Sequence, residues 1–174
     1  GKFEKGVDYI GDLDVFEQDF AVHAEIARQL GPYKMSIHSG SDKFSIYPII
    51  ARHTGQYVHL KTAGTSWLEA LRVLAIHDVP LFREMLAYAM ACYPTDRATY
   101  HVSAELAKVP RDLADGDLPS LLDQFDARQV LHVTFGSLLD EFDGRFFASL
   151  RANEDTYHDV LKLHFDKHIQ PFAG

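Results

Sequence analysis

Cysteine is nearly missing: Cys92 is the only thiol among 174 residues. A single thiol excludes an internal disulfide and any cysteine-built metal cluster, and it fits a reducing compartment. Positive charge is also in deficit, with 17 Lys and Arg against 25 Asp and Glu for a net charge of −8. That balance argues against nucleic acid or an anionic membrane as a partner, while leaving room for a local basic pocket that takes a small anion. No apolar run approaches the roughly 20 residues needed to span a bilayer. The opening Gly1-Lys2-Phe3-Glu4-Lys5-Gly6 shows no secretory pattern, so a cytoplasmic protein is expected. Neither a Walker-type loop nor a Gly-x-Gly-x-x-Gly fingerprint is present, so nucleotide binding has no motif behind it. What the chain does have is 47% hydrophobic and 24% charged residues, an ordinary globular composition. One domain over residues 1–174 is expected, burying roughly two-thirds of its unfolded surface.

Local patterns alternate. Asp14 to Leu30 reads as a helix with Asp14 and Glu17 as a capping box and Phe16, Phe20, Ala24, Ala27 and Leu30 on one face. Tyr33 to His38 reads as a strand, followed by a helix with Pro48 in its first turn that ends before Gly55. Tyr57 to Lys61 is the next strand, and Trp67 to Ile76 the next helix, with Ser66 and Glu69 as a second capping box. Asp78 caps a further helix with Pro80 in its first turn, running to about Cys92. Thr99–Ser103 and Arg128–Thr134 read as strands, Leu118–Phe125 as a short helix, and the remainder as helix broken near Gly144 and Asn153. Strands separated by helices predict parallel βαβ units. With four strands and Gly6–Gly11 as a candidate fifth, the chain forms either a small open α/β sheet or part of a closed barrel, which needs eight. Open edges of such a part-barrel predict pairing with a second copy or an exposed apolar groove.

In parallel α/β proteins the chemistry sits where strands run into helices. Two such turns stand out, Ser36-Ile37-His38-Ser39-Gly40-Ser41-Asp42-Lys43-Phe44 and His59-Leu60-Lys61-Thr62-Ala63-Gly64-Thr65-Ser66-Trp67. Each joins a strand histidine to a Gly-Ser or Gly-Thr step that opens a helix. Free amides at such a step attract anions, and Lys43 and Lys61 add positive charge. Ser39, Gly40, Ser41, Lys43, Thr62, Gly64 and Thr65 are therefore candidate substrate-binding residues, for a carboxylate or phosphate. The bland alternative is that Ser41 and Thr65 only cap helices. Of ten histidines, His38 and His59 are the candidate metal ligands, because each lies at or near a strand end beside a glycine turn. His101 and His132 fall on expected strands, where a buried, hydrogen-bonded ring is the competing reading. His164 and His168 are spaced for joint ligation on the last helix, but they lack a His-Glu-x-x-His glutamate and equally offset a helix dipole. Asp8 is a candidate ligand or base.

Lys5-Gly6-Val7-Asp8-Tyr9-Ile10-Gly11-Asp12, the two turn phrases just quoted, and the closing His164-Phe165-Asp166-Lys167-His168-Ile169-Gln170-Pro171-Phe172 together resemble the tagaturonate epimerase family. The resemblance spans nearly the whole chain, in order. It implies a metal-dependent enzyme on a TIM-type β/α barrel, of which this chain is the carboxy-terminal part, interconverting the sugar acids D-tagaturonate and D-fructuronate. A divalent cation is the implied cofactor, Asp8 and Lys61 the expected catalytic groups, and retro-aldol chemistry the expected route. A non-catalytic sugar-acid-binding or self-associating domain, or a metal-dependent aldolase, are the alternatives.

Overall fold

The computed structural model describes residues 1–31, 33–37, 42–55, 57–61 and 64–173, with backbone only at 65. Helix α1 (Leu13–Leu30) starts two residues earlier in its cap than the pattern suggests. Asp12, not Asp14, accepts from the backbone N–H groups of Asp14 and Val15 at 2.9 and 3.0 Å. Glu17 leaves the helix start and pairs with Arg52 and His53. Phe16, Phe20, Ala24 and Ala27 are buried as the helical spacing requires, while Val15 (54% exposed), Val22 (60%) and Leu30 (79%) leave an apolar outer face.

Strand β1 (Met35–Ile37), helix α2 (Tyr47–Thr54, Pro48 in its first turn) and strand β2 (Val58–Leu60) form one βαβ unit. The strands are adjacent and parallel, in the register Met35↔Val58, Ser36↔His59 and Ile37↔Leu60. This meets the expectation of parallel pairing. The TIM-type barrel is not met: among the described residues the sheet has these two strands alone, and the chain is mostly helical. Gly6–Gly11 contributes no strand, and Thr99–Ser103 follows a 3-10 turn (Arg97–Thr99) as irregular chain.

Arg128–Thr134 is also not a strand. It lies in helix α5 (Phe125–Val133), whose start is capped by the Gln124 side chain accepting from Ala127 N at 2.6 Å. Ala127, Val130, Leu131 and Val133 are all buried, as are Asp126, Arg128 and Gln129. A helix enclosed on all sides shows no 3.6-residue stripe, and its β-branched residues imitate a strand. Helix α3 (Thr65–His77) begins after Gly64 without a side-chain cap; Glu69 turns instead to Arg72 at 2.8 Å. Gly64 has φ +96°, a left-handed conformation that costs glycine nothing. Helix α4 (Val79–Asp96) is capped by Asp78, as expected, and runs past Cys92 through Pro94. Residues Asp115–Leu122 are 3-10 rather than α-helical. Helix α6 (Phe135–Ala152) continues through Gly144, and α7 (Glu154–Ile169) follows the break at Asn153.

Two apolar clusters result. The larger joins α3, α4, α5 and α6 around Trp67, Leu71, Phe82, Met85 and Leu131, and Trp67 Nε1 donates to Leu131 O at 3.0 Å. The smaller packs α1 and α2 on the strand pair through Phe16, Phe20, Ile46 and Ile50. No helix is long and apolar enough to cross a membrane. The two buried histidines of α7 gather with Asp42 from the segment before α2, His168 against Phe44 and Tyr47 and His164 beside Glu69 of α3.

Candidate metal centre

Asp42, His164 and His168 are 3–4% exposed, and each offers one ligand atom within 4.8 Å of the others. Asp42 Oδ1 lies 3.1 Å from His168 Nε2 and 3.4 Å from His164 Nε2. Donors about 2.1 Å from a common cation stand roughly 3–3.4 Å apart, so these spacings suit one small ion. The ring orientations agree. His168 Nδ1 lies 2.9 Å from the His164 carbonyl, which can only accept, so Nδ1 carries the proton and Nε2 presents a lone pair to Asp42. Neither Asp42 Oδ1 nor His168 Nε2 has a hydrogen-bond partner, although both are buried. Two lone-pair atoms facing each other at this distance call for a cation between them, a second proton on the ring or a metal ion.

The surrounding groups fix the ligands. His164 Nδ1 points to Glu69 Oε1 at 3.6 Å, so a carboxylate backs the ring and leaves Nε2 for ligation. Arg128 pairs with the other oxygen of Asp42 and reaches within 4.0 Å of Glu69. It also donates to Gly6 O at 2.6 Å and to Leu122 O at 2.5 Å. Burial pushes the Asp42 carboxyl up, but His168 and His164, when protonated, and the Arg128 guanidinium outweigh it and hold it below the ordinary carboxylate range. Burial pulls His164 below the ordinary imidazole range, partly opposed by Asp42 and Glu69. An ionised carboxylate beside a neutral imidazole is the state a divalent cation needs.

A cavity of about 300 Å³ opens beside Asp42, walled among others by Asp8, Phe44, Arg128 and Lys167. Asp8 is held on its wall by Ser45, whose backbone N and Oγ donate to it at 3.0 and 2.9 Å. Lys43 is fully buried. Its ammonium donates to the carbonyls of Glu4, at 3.0 Å, and Val7, so it fastens the amino-terminal segment. Burial brings it down to about 8. Lys61 is exposed just beyond β2, and its backbone N–H donates to Ile37 O at 3.1 Å. His59 stands on the exposed side of the strand pair with Nδ1 2.9 Å from Ser36 Oγ, and it is not one of the three converging ligands. His38, Ser39, Gly40, Ser41 and Thr62, with the side chain of Thr65, lie outside the described residues. From the sequence, Asp42 stands inside one of the two glycine turns without a role of its own and the spacing of His164 and His168 is visible, while Glu69 reads as a capping acid and Arg128 has no role.

His132, on α5, adds a pH response. Its Nδ1 is buried without a partner, and a Cβ at Gly6 (φ +77°) would come within 2.9 Å of the His132 Cβ, so glycine lets the strap pass. Burial first, then the charges of Lys5, Arg128 and Lys43, lower this imidazole to about 4, with Asp42 opposing. A histidine depressed in the folded state binds its proton more readily when unfolded. Its contribution is intact above about pH 6.5 and is lost as pH falls towards 4, by up to about 3 kcal/mol. Urea titrations of the metal-free chain are expected to show a flatter decline over that window in His132→Gln than in the unaltered chain. Equal slopes would assign the acid sensitivity to other groups.

Fold and cluster together define a helical α/β protein with a buried two-histidine, one-carboxylate group beside a cavity. The chain belongs to the tagaturonate epimerase family, which it matches over residues 1–172. It is 44% identical over 178 residues to a tagaturonate/fructuronate epimerase of Thermotoga maritima, covering 100% of this chain and 37% of that protein. The native crystal structure of fructuronate-tagaturonate epimerase UxaE from Cohnella laeviribosi matches with a TM-score of 0.94 and 44% identity, over 99% of this chain and 37% of that one. The complex of that enzyme with one glycerol gives 0.93 and 43%. The chain thus spans 37% of the length of these relatives.

Proposed function

We propose that this chain carries part of the active centre of a metal-dependent epimerase interconverting D-tagaturonate and D-fructuronate, with Asp42, His164 and His168 as metal ligands. The observation that carries it is the burial of two unpartnered ligand atoms, Asp42 Oδ1 and His168 Nε2, facing one another. His38 is a further proposed ligand, since it lies four residues before Asp42 in the chain.

The two sugar acids differ at the carbon whose hydroxyl is β to the ketone. Its hydrogen is not acidic, so simple deprotonation cannot invert it. Removal of the hydroxyl proton instead lets the bond between that carbon and the one next to the ketone break, giving an aldehyde and an enediolate. Turning the aldehyde face and re-forming the bond returns the proton and inverts the centre. A divalent cation supplies Lewis acidity to the ketone end when bound. Asp8, on the cavity wall, is the proposed proton carrier for the hydroxyl, and Ser45 holds its carboxylate in place. Arg128 keeps Asp42 ionised and oriented.

The test is chelation followed by readdition of single divalent cations, with fructuronate formation from tagaturonate followed by chromatography. Turnover that appears only with a cation is expected. Turnover undiminished by chelator overturns metal dependence. Uptake of a cation with no turnover at any concentration makes the chain a binding part of the centre.

A further inference from the structure

The proposed substrate carries a negative charge at the end far from its ketone, and the cavity has one wall suited to it. Its charged side chains are not equivalent. Asp123 is held by both terminal nitrogens of Arg72 at 2.9 Å. Asp8 is held by Ser45, and Arg128 is committed to Asp42 and two backbone carbonyls. Lys167 differs: it is exposed, and no ion pair or hydrogen bond joins its ammonium to another described residue. The ammonium stands 6.0 Å from the centre of the Phe44 ring. That ring packs edge-on against His168 at 4.9 Å and His164 at 6.1 Å. Phe44 therefore spaces the ammonium from the two imidazoles, and Lys167 lies on the same helical turn as both.

We infer that Lys167 is the carboxylate anchor of this cavity, holding the acid end of a sugar acid while its ketone end faces Asp42, His164 and His168. This rests on the proposed sugar-acid reading and adds its specificity element. An ammonium with three free donors beside an aromatic face can turn to meet a carboxylate. Phe44 and Phe125 offer apolar surface to the carbon chain. Lys43, with its donors on the Glu4 and Val7 carbonyls, serves the backbone, and Lys61 is not on the cavity wall.

Calorimetry on the metal-loaded chain decides it, comparing D-tagaturonate with the neutral ketose D-tagatose. The unaltered chain is expected to bind the acid more tightly. Lys167→Met should weaken acid binding about ten- to a hundredfold, with tagatose affinity and metal content unchanged. Lys167→Arg should keep most of the preference. Three results overturn the anchor: an intact preference in Lys167→Met, equal weakening of both ligands, or loss of the preference in Lys61→Met instead. A chain that never favours the acid also overturns it, while metal content, measured separately, then decides the metal centre.

Discussion

Replacing His168 with alanine is expected to lower divalent-cation affinity at least about a hundredfold, read by competition with a chromogenic chelator. The ring supplies Nε2 at 3.1 Å from Asp42 Oδ1 and is fixed in its tautomer by the His164 carbonyl. His59→Ala is the informative companion. That ring is hydrogen-bonded to Ser36 on the exposed strand face and is not one of the three converging residues, and its loss is expected to change affinity less than twofold. The opposite ranking would return the metal to the strand-end histidines and dismiss the α7 pair as buried packing.

Arg128→Met is the second large effect, about 3–5 kcal/mol of stability lost in the metal-free chain at neutral pH. The guanidinium has three acceptors inside the protein: Asp42, Gly6 O and Leu122 O. Methionine fills much of the volume and satisfies none of them, leaving a buried carboxylate without its main counter-charge. Added cation should recover part of the loss, because it neutralises the same carboxylate. Removing the charge as well, in Asp42→Asn with Arg128→Met, should cost less than the sum of the single changes. A loss below about 1 kcal/mol, with no metal response, would sink this account of the pair.

Local signals carried much of the fold. Pro48 at the start of α2, Asp78 capping α4 and the break at Asn153 were legible because each is a short-range steric or hydrogen-bonding constraint. The parallel pairing of β1 and β2 followed from two short strands around one helix. The barrel did not follow, since two of the expected strands, at 99–103 and 128–134, are not strands despite their β-branched content. For 128–134 that content belongs to a helix buried on every face. The site was half legible for a related reason. Asp42 lay in a phrase read as an anion cradle, and the spacing of His164 and His168 was visible. Nothing local says that the end of α7 folds back onto a loop more than 120 positions earlier. Glu69 looked like a capping-box acid until Arg72 and His164 claimed it.

That long return of the chain gives the centre an order of assembly. Asp42, Glu69 and Arg128 are synthesised before the two imidazoles of α7, so the growing chain carries two acids and one guanidinium of the cluster first. Arg128 is then the stand-in partner of Asp42, guarding the carboxylate against desolvation until the last helix docks. Contacts so distant along the chain form late in folding. Capture of the proposed cation would then come last, once α7 has docked against the segment that carries Asp42.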